Sequence, residues 1–190
     1  MDESISQAKK QLRRMAKAHR LGLNMPEISR QIQEQVQQWE FFQAAQSVFI
    51  YAALPLEIDL FPLVAQFPGK NWYLPRAVSD TSMVFYQYRP GDLLEKSVYG
   101  ILEPLETATP WAIKSPPDLM FVPSLMLDRQ GRRLGFGKGY YDRFLSSLSK
   151  VPVTAGTIVE ALIVDMLPQE SWDIALQWGI HEAGILKFPL

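Results

Sequence analysis

Apolar residues recur along this chain in two rhythms. Ile5, Ala8, Leu12, Met15, Ala16 and Leu23 fall at three- and four-residue steps, which predicts an amphipathic helix over residues 4–22. Gly22 and Asn24 break it. Pro26 then starts a second helix, whose stripe runs through Ile28, Ile32, Val36, Trp39 and Gln43 while the other glutamines face out. At residue 47 the rhythm changes. Residues 47–52 are a β-branched and aromatic run of strand length. A loop follows, then a short helix with Asp59 as candidate N-cap, running through Leu60, Leu63, Val64 and Phe67 and ended by Gly69.

Residues 71–74 and 83–88 predict further strands, the second at a sheet edge because its alternation is less clean. Five prolines and two glycines break residues 89–117 into a loop-rich region with a turn at 100–104. Tyr99, just before that turn, is either packed or offered to a flat heterocycle. Residues 118–123 predict a strand and 140–148 a helix with Tyr141, Phe144, Leu145 and Leu148 on its stripe. Residues 152–159 predict another strand, in which Gly156 marks either a close approach or a bulge. Strands alternating with helices predict an α/β fold with a mainly parallel sheet covered on both faces. The length of 190 residues suits one domain over 1–190, and no internal repeat is visible.

Composition narrows the chemistry. With 47% hydrophobic and 21% charged residues the chain is globular, not disordered. No apolar run approaches a membrane span, and the first residues lack a basic-then-apolar secretory pattern, so the expected location is cytoplasmic. The absence of cysteine removes disulfides, thiol nucleophiles and cysteine metal sites, and two histidines are too few for a histidine-built one. A net charge of −1 gives no general attraction for nucleic acid. Lys9, Lys10, Arg13, Arg14, Lys17 and Arg20 nevertheless crowd the first helix. Lys9 and Arg13, four apart, share a face that is either solvated or a phosphate clamp.

The densest chemistry lies at residues 133–142. Gly135, Gly137 and Gly139 stand between an apolar strand and a helical run. Glycines there let the backbone lie flush against a ligand, with N–H groups at a helix start aimed at an anion such as phosphate. Lys138 adds a mobile positive charge, and Asp142 a hard carboxylate suited to Mg2+. Neither standard phosphate motif fits. Gly139 stands where a Walker A loop needs Ser or Thr, and the third glycine comes one position early for a dinucleotide fingerprint. A tight turn needing glycine for geometry alone is the competing reading.

Taken with its lead-in, the string of Pro123, Asp128, Gly131, Arg133, Leu134, Gly135, Gly137, Lys138, Gly139, Tyr140, Tyr141 and Asp142 resembles the signature of the 5-formyltetrahydrofolate cyclo-ligase family. That family is also called 5,10-methenyltetrahydrofolate synthetase. The resemblance implies a three-layer αβα fold and the closure of 5-formyltetrahydrofolate to 5,10-methenyltetrahydrofolate. The implied cofactors are ATP and Mg2+, with release of ADP and phosphate through an imidoyl phosphate.

Site roles follow from the same resemblance. Lys9, Arg13, Arg133, Leu134, Gly135, Phe136, Gly137, Lys138, Gly139, Tyr140 and Tyr141 are expected at ATP. Ala52, Glu57, Phe136, Gly137, Lys138, Gly139 and Tyr140 are expected at the folate, where the Glu57 carboxylate suits the amino and ring N–H groups of a pterin. Asp142 and Asp173 are expected at Mg2+, and Lys138, Arg133 and Tyr140 at the reacting groups. Glu182 matches the family's closing glutamate. Residues 176–178 depart from the pattern, which usually has another aspartate or a similar polar residue there; Asp173 is alternatively a helix N-cap. The expected partner is the small-molecule folate alone, with no nucleic acid, no membrane and a monomeric chain. A non-catalytic folate or nucleotide binder and a sugar-phosphate isomerase of related architecture remain as alternatives.

Overall fold

The computed structural model describes residues 3–112 and 116–189, so residues 113–115 of the loop-rich region lie outside the described residues. The first helix, α1, spans Glu3–Leu21. Asn24 caps α2 (Met25–Gln38), its side-chain oxygen accepting the Glu27 N–H at 3.3 Å, with Pro26 in the first turn. The expected single stripe to Gln43 is interrupted. Trp39 is extended, and a separate short helix, α3 (Glu40–Ala44), follows. The break turns Trp39 toward Trp178, ring centroids 5.4 Å apart, while Phe42 reaches the sheet.

A seven-stranded sheet begins in chain order with β1 (Ser47–Phe49), shorter than the run from 47 to 52. After α4 (Pro62–Gln66), β2 (Asn71–Ala77) pairs parallel to one side of β1, and β3 (Met83–Tyr88) closes that edge antiparallel. On the other side lie β6 (Leu119–Pro123), β9 (Val153–Thr157) and β11 (Trp178–His181), all parallel, then β12 (Gly184–Lys187) antiparallel. The expected edge position of residues 83–88 is therefore observed. So is the covering of both faces. Phe49 stacks on Phe85 at 4.1 Å and meets Phe144 of α5 (Tyr140–Ser147) at 6.1 Å. On the opposite face Phe42 lies 6.2 Å from Trp72 and 6.3 Å from Phe121. The fold is α/β, with helices in layers on either side of a mainly parallel sheet.

Two local readings change. Asp59 is not a helix N-cap: its carboxylate accepts the Phe61 N–H at 2.9 Å in a turn, and α4 begins later, at Pro62. The region expected to be loop carries a hairpin of β4 (Leu94–Lys96) and β5 (Leu102–Pro104), held by Arg76, whose guanidinium donates to the Pro104 carbonyl at 2.8 Å and pairs with Glu95.

A small second sheet positions the glycine loop. It consists of β7 (Met126–Asp128), β8 (Arg133–Leu134) and β10 (Ile163–Val164). Gly156 and Gly179 face one another in register, and a Cβ at either would press on Leu127 Cδ1, at 3.0 and 3.3 Å. Gly156 thus marks a close approach by this sheet. The fully buried Asp128 accepts N–H bonds from Gln130, Arg132 and Leu167 at 2.9–3.0 Å. Gly131 takes φ 78° in the same turn, where a Cβ would lie 2.3 Å from the Leu176 carbonyl. These two signature residues shape the entry to the loop. No helix among the described residues is long and apolar enough to cross a membrane.

Candidate active site

A cavity of about 850 Å³ opens at the carboxyl ends of β1 and β6. From β1 the sheet continues to β2 and β3 on one side, and from β6 to β9 and β11 on the other, so the cavity sits at the point where strand order reverses. All of the sequence-predicted site residues line it: Lys9, Arg13, Ala52, Glu57, Arg133, Leu134, Gly135, Phe136, Gly137, Lys138, Gly139, Tyr140, Tyr141, Asp142 and Asp173. Glu182 is not among the cavity residues; its carboxylate accepts the Glu160 N–H at 3.0 Å.

The first helix is anchored over the cavity by Arg20, which is 1% exposed. Its guanidinium donates to the carbonyls of Leu56 (3.0 Å) and Ser124, joining α1 to the loops that follow β1 and β6. Two and three turns upstream, Arg13 and Lys9 then hang over the opening. Arg13 Nε donates to the Gly135 carbonyl at 2.9 Å, and its guanidinium passes so close to Gly137 that a Cβ there would lie 3.2 Å from Cζ. Burial pulls the Arg13 pKa down, opposed by the charges of Asp173 and Glu170.

The loop earns its glycines at two positions, Gly137 with φ 104° and Gly139 with φ 66°. Gly139 is also the N-cap of α5 and supplies no side-chain cap, so the first-turn N–H groups face the cavity without one. The adjacent tyrosines divide as helix geometry requires. Tyr141 turns inward, and burial, with Glu57 nearby, pushes its phenol far up. Tyr140 turns outward and donates to the Ser79 carbonyl at 3.0 Å. The Lys138 ammonium stands 5.1 Å from the Tyr99 ring on the hairpin, and the Tyr99 hydroxyl beside it raises its pKa.

Below the loop, acids and bases alternate. Arg133 Nη2 lies 2.9 Å from Asp142 Oδ2, and Nη1 donates to the Pro123 carbonyl at 3.2 Å. Asp142 Oδ1 accepts the Ile174 N–H at 3.2 Å, which draws the neighbouring Asp173 to the same wall. Asp173 caps no helix. Its Oδ2 accepts the Glu170 N–H at 2.8 Å and the Lys9 ammonium, which also donates to Glu170 Oε2 at 2.8 Å. Glu170 was not marked by any sequence pattern; it is simply an acid three residues before Asp173.

Glu57, in the loop after β1, is half-buried. Its Oε2 accepts the Leu54 N–H at 2.7 Å. Burial raises its pKa, opposed by that bond and by Arg20 and Lys17. Phe136 lines the same cavity, 5.7 Å from the Lys17 ammonium.

The donor set fits a magnesium nucleotide. Mg2+ carried with phosphates needs only one or two protein carboxylates, and Asp142 and Asp173 on the cavity wall could supply them. Among the described residues no group of three or more His, Cys, Asp or Glu is arranged to hold a metal alone. The positive-φ glycines, the uncapped helix start, Arg13 and Lys138 suit the phosphates.

Comparison with known proteins agrees with this geometry. Residues 5–180 match the profile of the 5-formyltetrahydrofolate cyclo-ligase family. The chain is 30% identical over 137 residues to the 5-formyltetrahydrofolate cyclo-ligase of Haemophilus influenzae, covering 70% of this chain and 73% of the relative. It is 31% identical over 137 residues to that of Escherichia coli, covering 70% and 75%. The solved 5,10-methenyltetrahydrofolate synthetase of Aquifex aeolicus superposes with a TM-score of 0.83 at 26% identity, over 96% of this chain and 93% of that one. The one from Mycoplasma pneumoniae gives 0.73 at 21% identity and shares the fold, over 96% and 99%. With the profile match running through nearly every element that lines the cavity, the chain belongs to the 5-formyltetrahydrofolate cyclo-ligase family.

Proposed function

We propose that the chain closes 5-formyltetrahydrofolate to 5,10-methenyltetrahydrofolate at the expense of Mg-ATP, with the formyl oxygen leaving as phosphate. The observation that carries this reading is that the glycine loop, two phosphate-suited cations, a carboxylate pair and Glu57 line one cavity. Family membership leaves the sugar-phosphate isomerase reading without support.

An N5-formyl amide is a poor electrophile, and its oxygen is a poor leaving group. Transfer of the γ-phosphoryl group to that oxygen gives an imidoyl phosphate and ADP. Attack by N10 on the formyl carbon forms the second C–N bond, the C–O bond breaks with loss of phosphate, and N10 gives up its proton. No protein nucleophile is needed, in keeping with a chain that has no cysteine. Positioning and charge neutralisation carry the rate.

In this reading Arg13, Lys138 and the loop N–H groups hold the triphosphate, and Glu57 orients the pterin. Arg133, fixed by the Pro123 carbonyl and Asp142, holds positive charge beside the transferring group. Tyr140 and Phe136 close the junction between the two substrates. Magnesium bound with the nucleotide would neutralise charge on the phosphate oxygens, with Asp142 and Asp173 as its protein ligands. The test is to supply substrate labelled with 18O in the formyl group. The label is expected in inorganic phosphate, one per methenyl product; label recovered in water instead would contradict phosphorylation of that oxygen.

A further inference from the structure

Lys9 is held by two acids, and only one of them carries a role in the proposed reaction. Its ammonium bridges Glu170 Oε2 and Asp173 Oδ2, with side-chain exposures of 6% for Lys9, 12% for Glu170 and 16% for Asp173. The second oxygen of Glu170, Oε1, is buried and has no hydrogen-bond partner. An ammonium has three donors, and the two bonds above account for two. The Glu170 backbone N–H also donates to Asp173 Oδ2, so both carboxylates belong to one turn and approach Lys9 from the same side.

Resting on the reading above, we propose that Glu170 is a positioning residue that keeps Lys9 paired and thereby frees Asp173 for the magnesium nucleotide. A buried ammonium left without a partner is strongly disfavoured, so Lys9 would compete with Mg2+ for Asp173 if that were its only acid. The free Glu170 oxygen can take up the donor that leaves Asp173. Lys9 then stays on the cavity wall, and Asp173 exchanges one cation for another without leaving a charge stranded. Removing the Glu170 charge locks Lys9 onto Asp173 and raises the Mg2+ requirement for nucleotide binding, while folate binding, which uses neither residue, is unaffected.

The measurement is equilibrium binding of a fluorescent ATP analogue across a Mg2+ titration, with 5-formyltetrahydrofolate binding measured alongside. It is made on the wild type, Glu170→Gln, Lys9→Met and the double variant, each checked for native circular dichroism. Glu170→Gln is expected to raise the half-maximal Mg2+ concentration by about tenfold with folate affinity unchanged, and to have less than about a twofold effect in the Lys9→Met background, because the two residues act through each other. Glu170→Asp is expected to recover part of the loss. An unchanged Mg2+ requirement in Glu170→Gln would overturn the proposal, as would a shift that persists without Lys9. A wild type that binds the nucleotide with no Mg2+ dependence would overturn the magnesium-nucleotide reading itself.

Discussion

Arg133 and Asp142 face each other at 2.9 Å, and the second oxygen of the same aspartate accepts the backbone N–H of Ile174. Asp142 therefore has a structural half and a charged half. Asp142→Asn keeps an oxygen for Ile174 and loses the charge. Its expected phenotype is a fall in kcat of about 100-fold with native circular dichroism, the scale seen when one charge-stabilising group is lost. Asp142→Ala removes both halves and is expected to lower stability as well, by about 3 kcal/mol as for breaking a buried ion pair. Urea unfolding of the two variants separates these effects.

Gly137 and Gly139 both sit in backbone regions that side chains rarely enter. Gly137→Ala adds a Cβ against the Arg13 guanidinium as well as strain of roughly 1–2 kcal/mol. The expected result is a rise in the KM for ATP well beyond that for folate. Gly139→Asn, at φ 66°, is in the region asparagine tolerates, and is expected to fold with a smaller loss than Gly139→Val. Steady-state kinetics with each substrate varied in turn checks both.

If Glu57 holds the pterin as proposed, folate binding is expected to depend on pH. Burial raises its pKa above the ordinary carboxylate range, and the form that accepts hydrogen bonds from pterin N–H groups is the ionised one. Affinity is therefore complete above the raised pKa and is lost as pH falls through it, with proton release on binding near that pH. Glu57→Gln is expected to bind at least about tenfold more weakly at neutral pH, the scale of a lost charged hydrogen bond, and to lose the acid limb. Binding titrations from acid to neutral pH measure both.

Arg20 ties the first helix to two sheet loops from a fully buried position. Arg20→Met fills much of the volume but strands the carbonyls of Leu56 and Ser124. A loss of about 3 kcal/mol is expected, which for a chain of this size lowers Tm by roughly 6–12 °C. Because Lys9 and Arg13 ride on the same helix, the KM for ATP is expected to rise in the folded fraction. Thermal unfolding followed by kinetics at a temperature below the transition tests the two together.

The glycine loop was legible because each of its residues carries local meaning: three glycines, a lysine and an aspartate after an apolar strand. The long helices and the central strands were legible from periodicity. The elements that sequence reading missed are those made by tertiary contact. Strands β7, β8 and β10 have only two or three residues, and they sit against the main sheet where Gly156 and Gly179 leave room for Leu127. Strands β11 and β12 contain Gly179 and Gly184, which weaken any local strand signal. Glu170 was invisible for a related reason. Its partner Lys9 lies 161 positions away, and neither residue's neighbours announce the pairing.

The most direct measurement follows absorbance at the methenyl-folate band after mixing the protein with 5-formyltetrahydrofolate, Mg2+ and ATP, with Asp142→Asn alongside. A rise that requires ATP and Mg2+ and is slowed about 100-fold by the substitution is expected. Folded protein that binds the folate yet gives no rise would contradict it and leave a binder without turnover.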